Sequence, residues 1–258
     1  MTTTAAPCVL VNRSNGVLII TLNRPNVRNA VDQAMAEAVA AALDELDSSP
    51  ELRAGIITGA GPSFCAGMDL NAFLRGERPV AKDRGFAGIV EQPPKKPMIA
   101  AVEGHAVGGG FELVLACDLI VAAENAVFGL PEVKRGLVAA GGALLRLAER
   151  VPYHLAMEWA LTGGFVGAEQ AHAVRLVNRL TPVGQALPTA LELANEIAAN
   201  APLAVQATKE IIVSSRDWPA AEAFDRQRPI AEAVRASHDA AEGARAFRER
   251  RAPRWEGR

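Results

Sequence analysis

Short apolar runs alternate with helix-like segments through the first two thirds of the chain. Residues 55–59 and 97–102 have the composition of buried strands, and the alanine-rich stretch 29–46 places apolar residues at helical spacing. Residues 112–116 are again helix-like, and 119–122 again strand-like. Because parallel strands need long crossover connections, which are usually helices, this order predicts an α/β core with a largely parallel sheet.

The two ends of the chain depart from this alternation. Residues 9–11 and 17–22 flank Asn15-Gly16, a turn signal that predicts an opening antiparallel hairpin. After Ala168 helical patterning dominates, in four segments: 182–199, 202–215, 220–237 and 239–250. We therefore expect a core of residues 1–200 and a C-terminal helical region of residues 201–258.

Charge and hydropathy narrow the class of partner. Lys and Arg number 27 against 29 Asp and Glu, a net charge of −2, which argues against nucleic-acid binding through bulk charge. No apolar run approaches the roughly 18 residues of a membrane span, and the N-terminus lacks the pattern of a secretion signal. We expect a cytoplasmic protein with no membrane partner that acts on a small molecule.

The cysteines and histidines give no pattern of a metal site or a disulfide framework. Three cysteines are odd in number and far apart, and four histidines lack ligand spacing. We expect no metal. Cys65 precedes a probable helix, where a thiol can become nucleophilic, but with no histidine nearby in sequence a small residue in a turn is the simpler interpretation.

Residues 75–96 are polar, charged and rich in proline. This composition favours a mobile surface loop. Lids over active sites share it, so a lid remains the alternative.

Glycine clusters and two glutamates indicate where chemistry could occur. Gly108-Gly109-Gly110 precedes Glu112, and a helix that starts there has unpaired amides that favour an anionic oxygen. The loop Ala66-Gly67-Met68 could supply a second amide, and two donors aimed at one oxygen form an oxyanion hole. Alternatively, the glycines mark tight turns, and Glu112 and Glu132 only favour helix starts.

In combination, these motifs resemble the crotonase, or enoyl-CoA hydratase/isomerase, superfamily in order and spacing. The resemblance extends from Leu22-Asn23-Arg24-Pro25 to Ala246-Phe247 and rests on these segments: Phe64-Cys65-Ala66-Gly67-Met68-Asp69-Leu70, Ala100-Ala101-Val102-Glu103-Gly104-His105-Ala106-Val107-Gly108-Gly109-Gly110-Phe111-Glu112, Cys117-Asp118-Leu119 and Phe128-Gly129-Leu130-Pro131-Glu132. It implies a crotonase-like spiral of ββα units, with a C-terminal helical region that forms trimers or hexamers built as dimers of trimers. It also implies an acyl-CoA thioester as substrate and no cofactor, since coenzyme A is part of the substrate.

The resemblance also implies roles for individual residues. Glu112 and Glu132 would be the catalytic pair, and the amides of Met68 and Gly109 the oxyanion hole. Coenzyme A would be contacted by Val27, Arg28, Ala30, Ala66, Met68, Asp69, Leu70, Asn71, Gly109, Phe247 and Arg250. Phe247 and Arg250 would reach the coenzyme A of a neighbouring subunit. They belong to a basic tail, residues 245–258, with six arginines and two glutamates, and a solvated helix end explains this charge equally well.

The expected reaction is the reversible hydration of a trans-2-enoyl-CoA to a 3-hydroxyacyl-CoA, as in fatty-acid β-oxidation. Glu112 would activate the water and Glu132 would donate a proton to C2. Double-bond isomerisation is the alternative, and a non-catalytic acyl-CoA-binding protein a more remote one. Residues 136–142 lack a proline and one glycine of the usual motif, and Asn71 replaces a common lysine, so chain-length preference stays open.

Overall fold

The computed structural model describes residues 6–258 and contains strands, α-helices and short 3₁₀ helices in the order set out here. The strands are β1 Val9–Ser14, β2 Val17–Leu22, β3 Ala54–Gly59, β4 Val80–Ala81, β5 Gly85–Phe86, β6 Met98–Val102, β7 His105–Val107, β8 Leu119–Ala123, β9 Val127–Gly129, β10 Phe165–Gly167 and β11 Arg179–Thr181. The α-helices are α1 Gln33–Ser48, α2 Leu70–Leu74, α3 Gly109–Ala116, α4 Ala143–Arg150, α5 Tyr153–Thr162, α6 Ala168–Ala173, α7 Ala186–Ala198, α8 Pro202–Ser214, α9 Ala223–Arg235 and α10 His238–Glu249. The 3₁₀ helices are Pro25–Val27, Pro131–Arg135, Ser215–Asp217 and Ala220–Glu222.

A six-stranded sheet with the order β1-β2-β3-β6-β8-β11 forms the centre of the core. The pair β1 and β2 is antiparallel, and every later neighbour pair is parallel. Every residue of β6 is buried, as are the first five of β3, which is typical of a parallel sheet covered on both faces. The predicted hairpin and parallel α/β core are confirmed.

Helices cover both faces of this sheet. On one face Ala186, Ala190 and Ala194 of α7 are fully buried, and their small side chains pack together with the sheet residues Ile56 and Ile99. The opposite face belongs to a larger core cluster that includes α1, α3 and the second sheet. The Asp32 side chain caps α1 by accepting a hydrogen bond from the Met35 amide.

A second, small sheet turns the chain into a spiral. Its order is β10-β9-β7, and a bridge between Cys65 and Ala106 extends it. Three successive segments thus run from a main-sheet strand to a pairing in the second sheet and then to a helix: β3–Cys65–α2, β6–β7–α3, and β8–β9–Pro131–Arg135. The expected spiral of ββα units is confirmed, and it brings the three helix starts close together.

The structure corrects the interpretation of residues 75–96 as a surface loop. Ala87, Ile89 and Val90 are buried in the main core. Arg84 is also buried, and its guanidinium pairs with Asp44 of α1 at 2.7 Å. The interpretation is wrong for residues 84–90, because the apolar stretch within this polar segment packs on α1 and the buried charge has a partner.

The C-terminal helices form where the sequence predicts them. None of the residues of α9 is buried within the chain. The buried carboxylates of Asp239 and Glu242 on α10 hold the final segment: Asp239 accepts hydrogen bonds from the amides of Glu256 and Gly257, and Glu242 pairs with Arg251 at 2.6 Å. A trimer-forming role for residues 201–258 stays a prediction. In residues 6–258, no helix combines the length and apolar character needed to span a bilayer.

Candidate active site

Two glycine-containing backbone segments meet at the centre of the spiral. A Cβ atom added at Gly67 would lie 3.0 Å from the Gly109 nitrogen. Gly67 and Gly108 have φ values of +91° and +57°, in a region that residues with a side chain rarely adopt. Glycine therefore allows the loop before α2 to touch the start of α3.

The Met68 and Gly109 amides are free at this meeting point. The segment around Met68 pairs with Val31, whose amide donates to the Gly67 carbonyl at 2.8 Å and whose carbonyl accepts from Asp69 at 2.9 Å. This parallel bridge leaves the Met68 N–H unused, and Gly109 opens α3, where amides lack an intrahelical acceptor. Within residues 6–258 neither amide donates to a protein acceptor. Such paired free amides can stabilise negative charge on a ligand oxygen.

Glu112 lies in the first turn of α3 and is only 5% exposed. Its Oε1 accepts a weak hydrogen bond of 3.4 Å from the Ala143 amide, and Gly141 lies directly against its carboxylate. Burial raises the pKa of Glu112, and the negative charge of Glu132 raises it further, against the lowering effect of the Ala143 and Gly141 amides. The group can therefore hold or accept a proton nearer to neutral pH than an ordinary glutamate.

Glu132 reaches the same place from the 3₁₀ helix Pro131–Arg135. A Cβ atom added at Gly108 would lie 3.1 Å from its Oε1. Its Oε2 is buried and finds no hydrogen-bond partner among residues 6–258. Burial raises the pKa of Glu132 too. The Glu132 carboxyl thus lies beside Gly108, and it is near enough to Glu112 for its charge to raise the pKa of that group, so two carboxyl groups with raised pKa values can exchange protons with a ligand bound there.

The Phe86 ring borders the site on one side, and an apolar cavity borders it on the other. The Phe86 ring packs on Gly109, where an added Cβ would lie 2.5 Å from ring atoms. On the other side an apolar cavity of about 340 Å³ opens beside Glu132. Residue Phe86 comes from the segment expected to be a loop, so the alternative interpretation of that segment, a cover over the active site, agrees with its position.

Arg24 clamps the segment that carries Met68. Its guanidinium donates to Asp69 at 3.0 Å and to the Ala30 carbonyl at 2.6 Å, and it pairs with Asp32 at 3.1 Å. The Asp69 carboxylate also caps α2, accepting from the amides of Asn71 and Ala72. Burial alone would raise the pKa of Asp69, but the Ala72 amide, Arg24 and the Asn71 amide outweigh it and hold the pKa below its usual value. Arg24 thereby connects the caps of α1 and α2 on either side of the Val31–Met68 bridge.

Asn29 fixes the other end of this loop. It is fully buried with a φ of +56°, and its side-chain amide donates to the carbonyls of Ala60, Ser63 and Phe64 at 2.9, 2.8 and 3.1 Å. Its Oδ1 accepts from the Arg24 amide at 2.9 Å. The sequence alone indicates no role for Arg24 or Asn29, because the partners that connect them to the Met68 loop lie 31–45 residues away. The tolerance of asparagine for left-handed backbone is the only local signal.

Most of the residues predicted to contact coenzyme A surround the Met68 loop. The Arg28 carbonyl accepts from the Ala66 amide at 2.9 Å, and Val27 beside it is exposed. Leu70 and Asn71 open α2 and face solvent, whereas the Asp69 carboxylate is engaged in the helix cap. Asp69 is buried, and the other members of this group are at least partly exposed: Val27, Arg28, Ala30, Ala66, Met68, Leu70, Asn71.

Phe247 and Arg250 are not part of this group. Phe247 lies in the last turn of α10, which packs on α9, and Arg250 is the residue that follows this helix; Phe247 is 88% exposed. Their contact with the coenzyme A of another subunit stays a prediction.

Cys65 is buried beside the Gly67 loop. Burial raises the pKa of the Cys65 thiol to about 12, so it is a neutral packing group rather than a nucleophile. Its Sγ lies 3.4 Å from the Gly67 amide. Across residues 6–258, no three His, Cys, Asp or Glu side chains are grouped closely enough to hold a metal ion.

Comparison with known proteins gives consistent matches over nearly the whole chain. The family model described as enoyl-CoA hydratase/isomerase matches residues 12–258. The chain is 42% identical to the enoyl-CoA hydratase EchA19 of Mycobacterium tuberculosis, covering 100% of this chain and 99% of that protein. It is 43% identical to the carnitinyl-CoA dehydratase of Salmonella typhi, covering 96% and 98%. A crystal structure of an enoyl-CoA hydratase from Mycobacterium tuberculosis has a TM-score of 0.96 at 56% identity and covers 98% of this chain and 100% of that one.

Proposed function

The chain belongs to the enoyl-CoA hydratase/isomerase family, and on that premise we propose that it adds water reversibly across the 2,3 double bond of a trans-2-enoyl-CoA. The product would be a 3-hydroxyacyl-CoA, as in fatty-acid β-oxidation. The proposal rests on three observations: Glu132 Oε1 lies close to Gly108, the charge of Glu132 acts on the buried Glu112, and the Met68 and Gly109 amides donate to no protein acceptor within residues 6–258.

The amides act on the thioester oxygen. As the oxygen of water bonds to C3, the π electrons of the double bond move toward the carbonyl and form an enolate. The Met68 and Gly109 N–H groups donate to that oxygen most strongly when it carries the negative charge, so they stabilise the transition state more than the bound substrate. Removal of one such donor from an enzyme typically costs about 10²–10³ in kcat.

The glutamates move the two protons. Glu112 in its ionised form takes a proton from the water while the C3–O bond forms. Protonated Glu132 then gives a proton to C2, which converts the enolate to the saturated thioester. One turnover leaves Glu112 protonated and Glu132 ionised, so proton exchange with solvent must reset the pair before the next.

The environment of each carboxyl supports Glu112 as the base and Glu132 as the acid. Burial raises the pKa of Glu112, and the amide donors from Ala143 and Gly141 act against that rise by favouring the ionised form. Glu132 has a buried Oε2 that no residue in 6–258 partners, which favours a protonated carboxyl. One ionised and one protonated group is the state that hydration requires at the start.

A product assay tests the proposal. The purified protein is given a trans-2-enoyl-CoA and, separately, its 3-enoyl isomer; loss of the conjugated enoyl-thioester absorbance is followed, and products are identified by mass spectrometry. Hydration predicts a gain of one water from the 2-enoyl ester. Conversion of the 3-enoyl ester to the 2-enoyl ester without a gain of water would show an isomerase instead, and binding of both without turnover would show a non-catalytic protein.

We also propose a homotrimer, or a dimer of trimers, formed through the C-terminal helices. The exposed apolar side chains of these helices support it: Phe224 of α9 is 78% exposed and Ile212 of α8 59% exposed. Sedimentation equilibrium of the full chain tests the proposal, and a monomer at micromolar concentration would contradict it.

A further inference from the structure

We propose that Arg146 of α4 is a positioning residue for Glu112, the proposed base. Its guanidinium holds the Gly141-Gly142 turn on one side and the segment that carries Phe86 on the other. The inference rests on the proposed hydration, and it concerns a group that acts through other residues instead of on the substrate.

The Gly141-Gly142 turn lies between a carboxylate and a guanidinium. A Cβ atom added at Gly141 would meet the Glu112 carboxylate, and one added at Gly142 would meet Nη1 of Arg146. The same Nη1 donates a weak hydrogen bond of 3.5 Å to the Gly141 carbonyl. Because the turn has no side chains of its own, these contacts determine where it lies. A change at Arg146 therefore changes the backbone against which Glu112 packs.

The other arm of the guanidinium reaches the segment that borders the oxyanion amide. Nη2 of Arg146 donates to the Val90 carbonyl at 2.5 Å. The Val90 amide donates to the Phe86 carbonyl at 3.4 Å, so the two residues belong to one turn, and the Phe86 ring packs on Gly109. A planar guanidinium holds its N–H donors in a fixed fork, so it can keep two carbonyls at a set separation. Arg146 thus connects the surroundings of the base to those of the Gly109 amide.

The positive charge of Arg146 also acts on Glu112. Burial is the main influence on the pKa of Glu112 and raises it, and the charge of Glu132 adds to this rise. The charge of Arg146 lowers it, as do the nearby amides. Burial lowers the pKa of Arg146 itself, but a guanidinium stays charged at neutral pH. Arg146 therefore favours the ionised Glu112 that must be present before water attacks.

Three further groups act on Arg146: Cys117, Glu149 and Arg216. Glu149 and Arg216 form their own ion pair at 2.5 Å, and both are exposed to water. Burial raises the pKa of the Cys117 thiol to about 12, so it is neutral. Among the groups that act on Arg146, Glu112 is thus the buried carboxylate, whose attraction solvent screens least.

Arg150, one turn further along α4, provides a matched control. Its guanidinium donates to the Leu115 carbonyl at 2.6 Å, and burial lowers its pKa as well. Leu115 lies in the last turn of α3, whereas Glu112 lies in the first. Arg150 therefore makes the same kind of bond from the same helix, but to the end of α3 away from the proposed base.

The kinetic test compares pH profiles of kcat/KM for a trans-2-enoyl-CoA, at a temperature where each variant is folded. Arg146→Met removes the charge and both donors but keeps a long unbranched side chain. We expect kcat at pH 7 to fall about tenfold or more, because the base is displaced. The acidic limb should move to higher pH, because Glu112 holds its proton more tightly without the cation, so the ratio of kcat/KM at pH 6 to that at pH 8 should fall about threefold or more.

Two more variants separate position from charge. Arg146→Lys keeps the charge without the fork, so the acidic limb should return toward its original pH while kcat stays below that of the unaltered protein. Arg150→Met should lower Tm comparably, yet leave the limb unmoved and kcat within about twofold. An unmoved limb in Arg146→Met, or an equal shift in Arg150→Met, would overturn the inference. Arg146→Gln, which is uncharged but retains one donor group, replaces Arg146→Met if that variant does not fold.

A measurement of stability separates this inference from the hydration proposal. Glu112→Gln should raise Tm at pH 8 more in the Arg146→Met background than in the unaltered protein, because an ionised carboxylate without its cation destabilises the fold more. In the Arg150→Met background the gain in Tm should equal that in the unaltered protein. A larger gain in a protein that hydrates nothing would support the coupling and refute the reaction. Hydration with equal gains in all three backgrounds would overturn the coupling and leave the reaction standing.

Discussion

The Glu112 carboxylate packs so closely on Gly141 that a Cβ atom at position 141 would lie 2.7 Å from its carboxyl carbon. Gly141 belongs to the stretch 136–142 that departs from the motif usual in hydratases of this family. The glycine that touches the proposed base is nevertheless present. The departure therefore concerns the neighbouring backbone, whose Val138 and Ala139 line the apolar cavity beside Glu132.

Gly141→Ala should lower the activity and leave the stability of the fold nearly unchanged. The added methyl group would meet the movable end of the Glu112 side chain rather than backbone, so the carboxylate shifts at little cost to folding. A displacement of about 1 Å at a reacting group can cost 10²-fold in rate, and we expect kcat to fall 10–100-fold with Tm nearly unchanged. Gly167→Ala is the matched control, because nothing lies within 4 Å of its added Cβ. Equal activity of the two variants would contradict the contact.

Glu112→Gln and Glu132→Gln should each reduce hydration while binding persists. Glutamine keeps the shape and an acceptor oxygen but can neither take nor give the required proton. We expect kcat to fall by about 10²–10⁴ and the dissociation constant of a saturated acyl-CoA to change by less than about threefold.

The exposed Glu169 offers a control for these substitutions, since Glu169→Gln alters charge equally at the surface. Loss of binding with normal turnover in either active-site variant would remove that glutamate from the proton transfers.

Arg24→Met should misplace the Met68 amide. The substitution removes the donor shared by Asp69 and the Ala30 carbonyl, leaving a largely buried carboxylate with less support, at a cost of about 1–3 kcal/mol. We expect kcat to fall more than tenfold at temperatures where the variant is fully folded, with a smaller change in KM. Arg13→Met removes a surface pair with Glu45 and should do neither. A lower Tm with an unchanged kcat would show that Arg24 stabilises the fold but does not position the Met68 amide.

Glu112→Gln should stabilise the fold, increasingly with pH. Because the folded-state pKa of Glu112 lies above its unfolded value, the native protein binds more protons than the unfolded chain between the two, and its stability falls as pH rises through that window. The variant avoids this loss, so its Tm advantage should be near zero at about pH 4 and largest above the folded pKa. Each ~1 kcal/mol corresponds to about 2–4 °C in a chain of this size. A Tm difference that is constant between pH 5 and pH 8 would disprove the raised pKa.

Local sequence patterns were sufficient for the elements of this fold. The glycine triplet predicted a helix start, and α3 begins at Gly109 with Glu112 in its first turn. The Asn15-Gly16 pair predicted the hairpin, and both residues have positive φ. These features depend on neighbours in the sequence, so the sequence alone determines them.

Contacts between distant segments were not predictable in the same way. The burial of residues 84–90 depends on α1, some 40 residues earlier, and nothing in the polar composition indicates the pairing of Arg84 with Asp44. Likewise, Phe86 acquires its place against Gly109 only when the spiral closes. For the same reason, the Arg24 clamp becomes visible only in three dimensions.

Asn29 illustrates how tightly a residue without a role in the chemistry can be constrained. Position 29 requires a left-handed backbone together with a short side chain that carries both donors and an acceptor. Glycine meets the first demand without the second, aspartate lacks the donors, and glutamine is one methylene too long. Mutational tolerance at this position should therefore be as narrow as at the two glutamates, and a saturation library selected for activity should return asparagine almost alone.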